Sequence, residues 1–178
     1  MSRYRFACAI CVLLLLHGGL PLSGGTDTPV ARTRPVRPSR QKIQDIVDDF
    51  RTHLSMPQEV SVSIVAKNPL MVSVEPLKGR DGPFLVSVEE GFLDLLNEDE
   101  LKAVIAHELG HVWIFTHHPY LQTEPGANEI AMRLVSRESL TPVYEKVFNR
   151  AGSKGNLAQF LGDEPKAVLV NQALAPTH

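Results

Sequence analysis

Cysteine is close to absent from this 178-residue chain: Cys8 and Cys11 are the whole complement, and both sit in an apolar stretch at the N-terminus. Without that stretch the chain has no thiol, which excludes disulfides, thiolate metal ligands and a cysteine nucleophile. Long apolar runs are also missing beyond it, so no later segment reaches the roughly 20 residues a membrane helix needs. Aromatic residues are sparse at 6%, with one tryptophan, and no basic cluster is interleaved with them. That argues against a nucleic-acid partner, for which stacking rings and a basic patch are the usual signs. Neither sign of charge dominates: 18 Lys and Arg stand against 20 Asp and Glu.

What is present at the N-terminus reads as a targeting segment. Arg3 and Arg5 precede an apolar run from Ala7 to Leu16, which His17, Gly18 and Gly19 interrupt before the small residues Ser23, Gly24 and Gly25. The pattern predicts a signal peptide over residues 1–25 and an exported, periplasmic or secreted protein. An uncleaved anchor is the competing reading, and the shortness of the run argues against it. Removing Arg3 and Arg5 leaves 16 basic against 20 acidic residues, a net charge of −4. Residues 26–40, rich in Thr and Pro with Arg32, Arg34, Arg37 and Arg40, read as a disordered linker, and 162–178 as a disordered tail. One domain over 41–161 remains, long enough for one core.

Within it, Ile43, Ile46, Val47, Phe50 and Leu54 recur at helical spacing and predict a helix over 41–55. Val60, Val62 and Ile64 alternate with polar residues as in a half-buried strand. A second strand is expected over Leu70 to Glu75, at a sheet edge because prolines flank it, and a third over Phe84 to Val88. Phe92, Leu93, Leu95 and Leu96 suit a short helix. After the central helix described below, a helix over 123–139 is expected, with Met132 in its core. Thr141-Pro142 reads as the start of another helix, ending near Gly152, and a helical turn is expected over 157–161.

The chemistry resides in Ala106-His107-Glu108-Leu109-Gly110-His111, an H-E-x-x-H segment. Asn97 is a good N-cap, Glu98, Asp99 and Glu100 suit a first helical turn, and Glu100 stands at the capping-box position. Leu101, Val104, Ile105, Leu109 and Val112 continue the helix as an apolar stripe. His107 and His111 then lie one turn apart on one face, where both rings reach one metal ion. Glu108 stands beside that face as general base for a metal-activated water. A catalytic zinc takes three protein ligands and keeps one position open. The residues offer three candidates for the third: Glu124, Glu129 and His117. His117 completes H-E-x-x-H-x-x-G-x-x-H spacing, but Ile114 replaces the glycine that would let the chain leave the helix. If the helix continues, His117 points about 240° away from His111. For stabilising an oxyanion, His117, His118, Tyr120 and Tyr144 are candidates; Trp113 reads as a core or cleft-wall ring.

Glu124-Pro125-Gly126-Ala127-Asn128 reads E-x-x-A-N. Together with the run from Glu98 to His111 it resembles the small gluzincin metallopeptidases of the HtpX-like and CAAX-prenyl-endopeptidase-like kind. That resemblance implies a small α+β zincin-type domain, with a short mixed sheet packed on the H-E-x-x-H helix and a following helix carrying the third ligand. It implies one Zn2+ held by His107, His111 and Glu124, and hydrolysis of peptide bonds in peptides or unfolded proteins with Glu108 as base. It puts Asn128 where the family has an Asp that holds a ligand histidine, a substitution that keeps the hydrogen-bond acceptor but removes a negative charge. Peptide deformylases share H-E-x-x-H but need a cysteine ligand. The alternatives are a metzincin-like peptidase using His117, and a binding module on the same fold without catalysis.

Overall fold

The protein is described here by a computed structural model covering residues 37–163. The signal-peptide expectation, most of the linker and nearly all of the tail therefore lie outside the described residues. The linker's last residues are anchored: the Arg37 guanidinium forks onto both carboxylate oxygens of Asp94 at 2.7 Å, and Ser39 caps the first helix by accepting from the backbone N–H of Lys42.

That helix, α1 (Arg40–His53), buries Ile43, Val47 and Phe50, the expected stripe. Strands β1 (Val60–Val65), β2 (Val72–Pro76) and β3 (Phe84–Glu89) follow, near the expected positions. They form a mixed sheet in the order β1-β3-β2, with β1 parallel and β2 antiparallel to β3, which puts β2 at an edge. The register aligns Val62, Val86 and Val74 across the three strands. These, with Val60, Val72, Phe84 and Val88, form the face turned to the core, while the alternate serines and glutamates stay half-buried.

A short helix α2 (Glu90–Leu93) leads into α3 (Glu98–His117). Asn97 and Glu100 form the predicted capping box in both directions. The apolar stripe proves to be a wider surface: nearly every residue from Glu100 to Val112 is buried, because α3 runs through the middle of the domain against α1, β2, α5 and α4. At its far end Arg80, from the turn between β2 and β3, donates to the carbonyl oxygens of Thr116 and His117. A cation there suits the negative end of the helix.

The chain then turns back into α4 (Glu124–Ala131), capped by Thr123. The helix expected over 123–139 thus ends eight residues earlier, and Met132, expected in the core, is its 38%-exposed C-cap. Ser136 caps the next helix, α5 (Arg137–Ala151), so Pro142 lies inside that helix rather than opening it. The proline costs one intrahelical hydrogen bond, to the Glu138 carbonyl, and the Thr141 hydroxyl binds the neighbouring Arg137 carbonyl. Gly152 ends α5 in the left-handed conformation, as expected, and α6 (Leu157–Leu161) packs against α4 and α5.

Helices α3 and α4 meet backbone on backbone: a Cβ added to Gly110 of α3 would stand 2.3 Å from the Ala127 carbonyl oxygen of α4. Gly110→Ala is therefore expected to lose about 1–3 kcal/mol of stability by overpacking. Urea unfolding should show a lowered midpoint, and an unchanged midpoint would contradict the tight crossing.

Candidate metal centre

The long core helix delivers His107 and His111 with their ring centroids 4.7 Å apart and their planes nearly perpendicular. The first residue of α4 delivers Glu124. The three are 4–6% exposed, deep for ionisable groups. Their ligand-type atoms converge: His107 Nε2 and His111 Nε2 are 3.2 Å apart, Glu124 Oε2 is 3.2 Å from the first and Glu124 Oε1 is 3.4 Å from the second. Among the described residues these are the three side chains grouped closely enough to hold a metal.

Hydrogen bonds fix what the rings present. His107 Nδ1 lies 2.8 Å from Asn128 Oδ1. The Asn128 amide nitrogen donates to the Tyr144 hydroxyl at 2.6 Å and to the Phe160 carbonyl of α6 at 3.0 Å. A carbonyl can only accept, so the carboxamide cannot be flipped, and its oxygen faces the ring. His111 Nδ1 meets Gln122 Oε1 at 3.2 Å, while the Gln122 amide donates to the His111 carbonyl at 3.1 Å. Both rings therefore carry their proton on Nδ1 and turn Nε2 toward Glu124. A close Nε2–carboxylate contact then needs either a second proton on the ring or a cation between the two. A tetrahedral zinc, with bonds of about 2.0–2.1 Å, sets its ligand atoms about 3.3 Å apart. The 3.2 Å between the two Nε2 atoms matches one edge of that tetrahedron, and Glu124 turns one oxygen toward each ring, at 3.2 and 3.4 Å, which brings its carboxylate within reach of the same ion.

Burial works against the charge on Glu124, but hydrogen bonds from His107 and His111, which the rings make only with a second proton on Nε2, outweigh it and hold the carboxyl well below the usual range. Glu108 has the opposite balance. It is 2% exposed, and its Oε2 is buried without a hydrogen-bond partner. Burial pushes its carboxyl up to about 7, with His111 opposing and Glu124 adding to the rise. A cavity of about 20 Å³, lined by His107, Glu108, Tyr144, Met71 and apolar neighbours, adjoins it. That volume admits about one water.

The other candidates, Tyr144 apart, are placed elsewhere. Helix α3 continues through His117, which is exposed, bonds the Trp113 carbonyl at 2.8 Å and stacks on the Trp113 ring. Trp113 is thus no buried core ring: it lies half-buried between His117 and the Arg133 guanidinium. Glu129 faces solvent, as does His118, and Tyr120 is 98% exposed. Tyr144 is buried beneath His107, its ring edge-on to the imidazole. Sequence reasoning missed Gln122 altogether. No spacing rule marks a glutamine in a turn, and its one cue is that it stands two residues before Glu124.

Asn128 thus does something an aspartate could not: its amide holds the Phe160 carbonyl. Asn128→Asp is expected to keep the acceptor for His107 but set a carboxylate oxygen against that carbonyl, at a cost of about 1–3 kcal/mol. Hydrogen exchange should then speed up across 157–161 while α3 stays protected. Unchanged protection of α6 would refute this role.

Parts of the chain are similar to known proteins. A protease HtpX homologue of Trichormus variabilis is 38% identical over 95 residues, 51% of this chain and 29% of that protein. The protease HtpX homologue of Pyrococcus abyssi is 51% identical over 49 residues, 27% of this chain and 17% of that protein. The chain spans less than a third of the length of these curated relatives. Among solved structures, the metallopeptidase zymogen abylysin of Pyrococcus abyssi is 14% identical, with a TM-score of 0.45 over 64% of this chain and 99% of that one. The model of Peptidase family M48 matches residues 41–174, and over so large a share of the sequence the match is decisive: the chain belongs to that family of HtpX-like zinc metallopeptidases.

Proposed function

We propose that the chain is a zinc-dependent endopeptidase in which His107, His111 and Glu124 hold the ion and Glu108 is the general base. The observation that carries this reading is the convergence of two Nε2 atoms and a carboxylate at 3.2–3.4 Å, beside a buried carboxylate oxygen without a partner. Zinc held there supplies a Lewis acid and lowers the pKa of water. Glu108 takes a proton from the attacking water and passes it to the leaving amine, a transfer that suits a carboxyl raised toward neutrality. Asn128 and Gln122 keep both rings turned to the ion. The apolar cavity wall excludes bulk water around Glu108.

Peptides and unfolded proteins are the substrates this arrangement favours. Strand β2 pairs with β3 on one side and is the sheet's edge on the other. The segment leading into it, Leu70 to Val72, lines the cavity beside His107 and Glu108. An extended substrate that added itself to this edge would bring its backbone past the base.

Purified wild type is expected to hold about one zinc per chain, and Glu124→Ala to lose it or bind it far more weakly. Glu108→Gln should keep zinc and lower hydrolysis of an unfolded protein by at least about 10²-fold. Zinc retained by Glu124→Ala would reject the third ligand. Zinc without hydrolysis in the wild type would favour a non-catalytic binding module.

Export is proposed from the pattern of residues 1–25 alone. Among the described residues, no helix is long and apolar enough to cross a membrane. The N-terminal sequence of protein recovered from the producing cell is expected to begin after Gly25. A protein retaining Met1 and fractionating with membranes would identify the segment as an anchor instead.

A further inference from the structure

Gln122 lies half-buried in the return from α3 to α4, just before the Thr123 cap. Its carboxamide makes two hydrogen bonds to one residue: Oε1 to the His111 ring at Nδ1, and Nε2 to the His111 backbone carbonyl. The two bonds close a loop from the ring back to its own main chain. Rotation about either side-chain torsion of His111 would break it. Because the backbone carbonyl accepts only, the amide orientation is set, and with it the proton on Nδ1. The Nε2 lone pair is left facing His107 Nε2 and Glu124.

We propose that Gln122 is a positioning residue that fixes the tautomer and rotamer of His111 for metal binding. This rests on the zinc site proposed above. The residue stands two positions before Glu124, so one short return both leads into the third ligand and orients the second. His107 is held in the same way by Asn128, again through an amide oxygen. Two neutral amides, where carboxylates would add charge, leave Glu124 and Glu108 as the negative groups in contact with the cluster and leave more of the ion's charge uncompensated.

The test measures zinc affinity by competition with a chromophoric chelator for the full wild-type chain, Gln122→Leu and Gln122→Glu. Long-range nitrogen–proton spectra of the zinc-free proteins, at a pH where the rings are neutral, read the His111 tautomer. Wild type is expected to show the Nδ1–H form. Gln122→Leu should bind zinc about 10–100-fold more weakly and show mixed tautomers, with its zinc-free melting point nearly unchanged. Gln122→Glu keeps the acceptor for Nδ1 but loses the donor to the His111 carbonyl, so it is expected to retain the Nδ1–H form and to recover only part of the affinity. Equal affinity and one tautomer in wild type and Gln122→Leu would overturn this inference alone. An Nε2–H ring in wild type would overturn it even if Gln122→Leu fails to fold. A wild type that takes up no zinc would overturn the metal site and the inference together.

Discussion

The approach of two backbones at Gly110 and Ala127 is the constraint on which the rest of the site depends. Glu124 and Ala127 are three residues apart on α4 and share a face, and Asn128 is one turn beyond Glu124. Holding Ala127 against α3 therefore presents the carboxylate to both rings and the carboxamide to His107 in a single docking step. The contacts of 3.2–3.4 Å leave little tolerance. A side chain at position 110 would push α4 outward by about 1 Å, enough to stretch the 3.2–3.4 Å contacts of Glu124 beyond bonding distance. The glycine between the two histidines is thus a matter of helix packing, and the chemistry inherits its precision from it.

The second constraint is electrostatic. Two imidazoles and two carboxylates sit in the core of a small domain, where unpaired charge is costly. The structure meets this by assigning every ring nitrogen a partner: Nδ1 to an amide oxygen, Nε2 to Glu124. Glu108 keeps an unmatched oxygen. Such an exception in an otherwise satisfied cluster marks the group that is free to act on something from outside.

Much of the fold was legible because local rules and packing agreed. Asn97 and Glu100 announced the start of α3, and alternation located all three strands. The H-E-x-x-H spacing paired the histidines, and the helix expected from residue 123 put Glu124 in its first turn. Legibility failed where packing overrode propensity. A proline read as a helix start sits inside α5, since Ser136 supplies a cap six residues earlier. Met132 has core chemistry but falls on the exposed end of a short helix. Gln122 and the Phe160 carbonyl carry no pattern at all. Their roles exist only once distant segments meet.

One of those meetings has a consequence for how the protein assembles. The bond from Asn128 to the Phe160 carbonyl spans 32 residues and ties the last described helix to the support of the first histidine. The two helices bearing the cluster are consecutive and can pair early, as local contacts tend to form before distant ones. The final orientation of His107 must wait until the C-terminal helix has folded back. During synthesis, the support of the cluster would stay unfinished until nearly the whole domain had emerged.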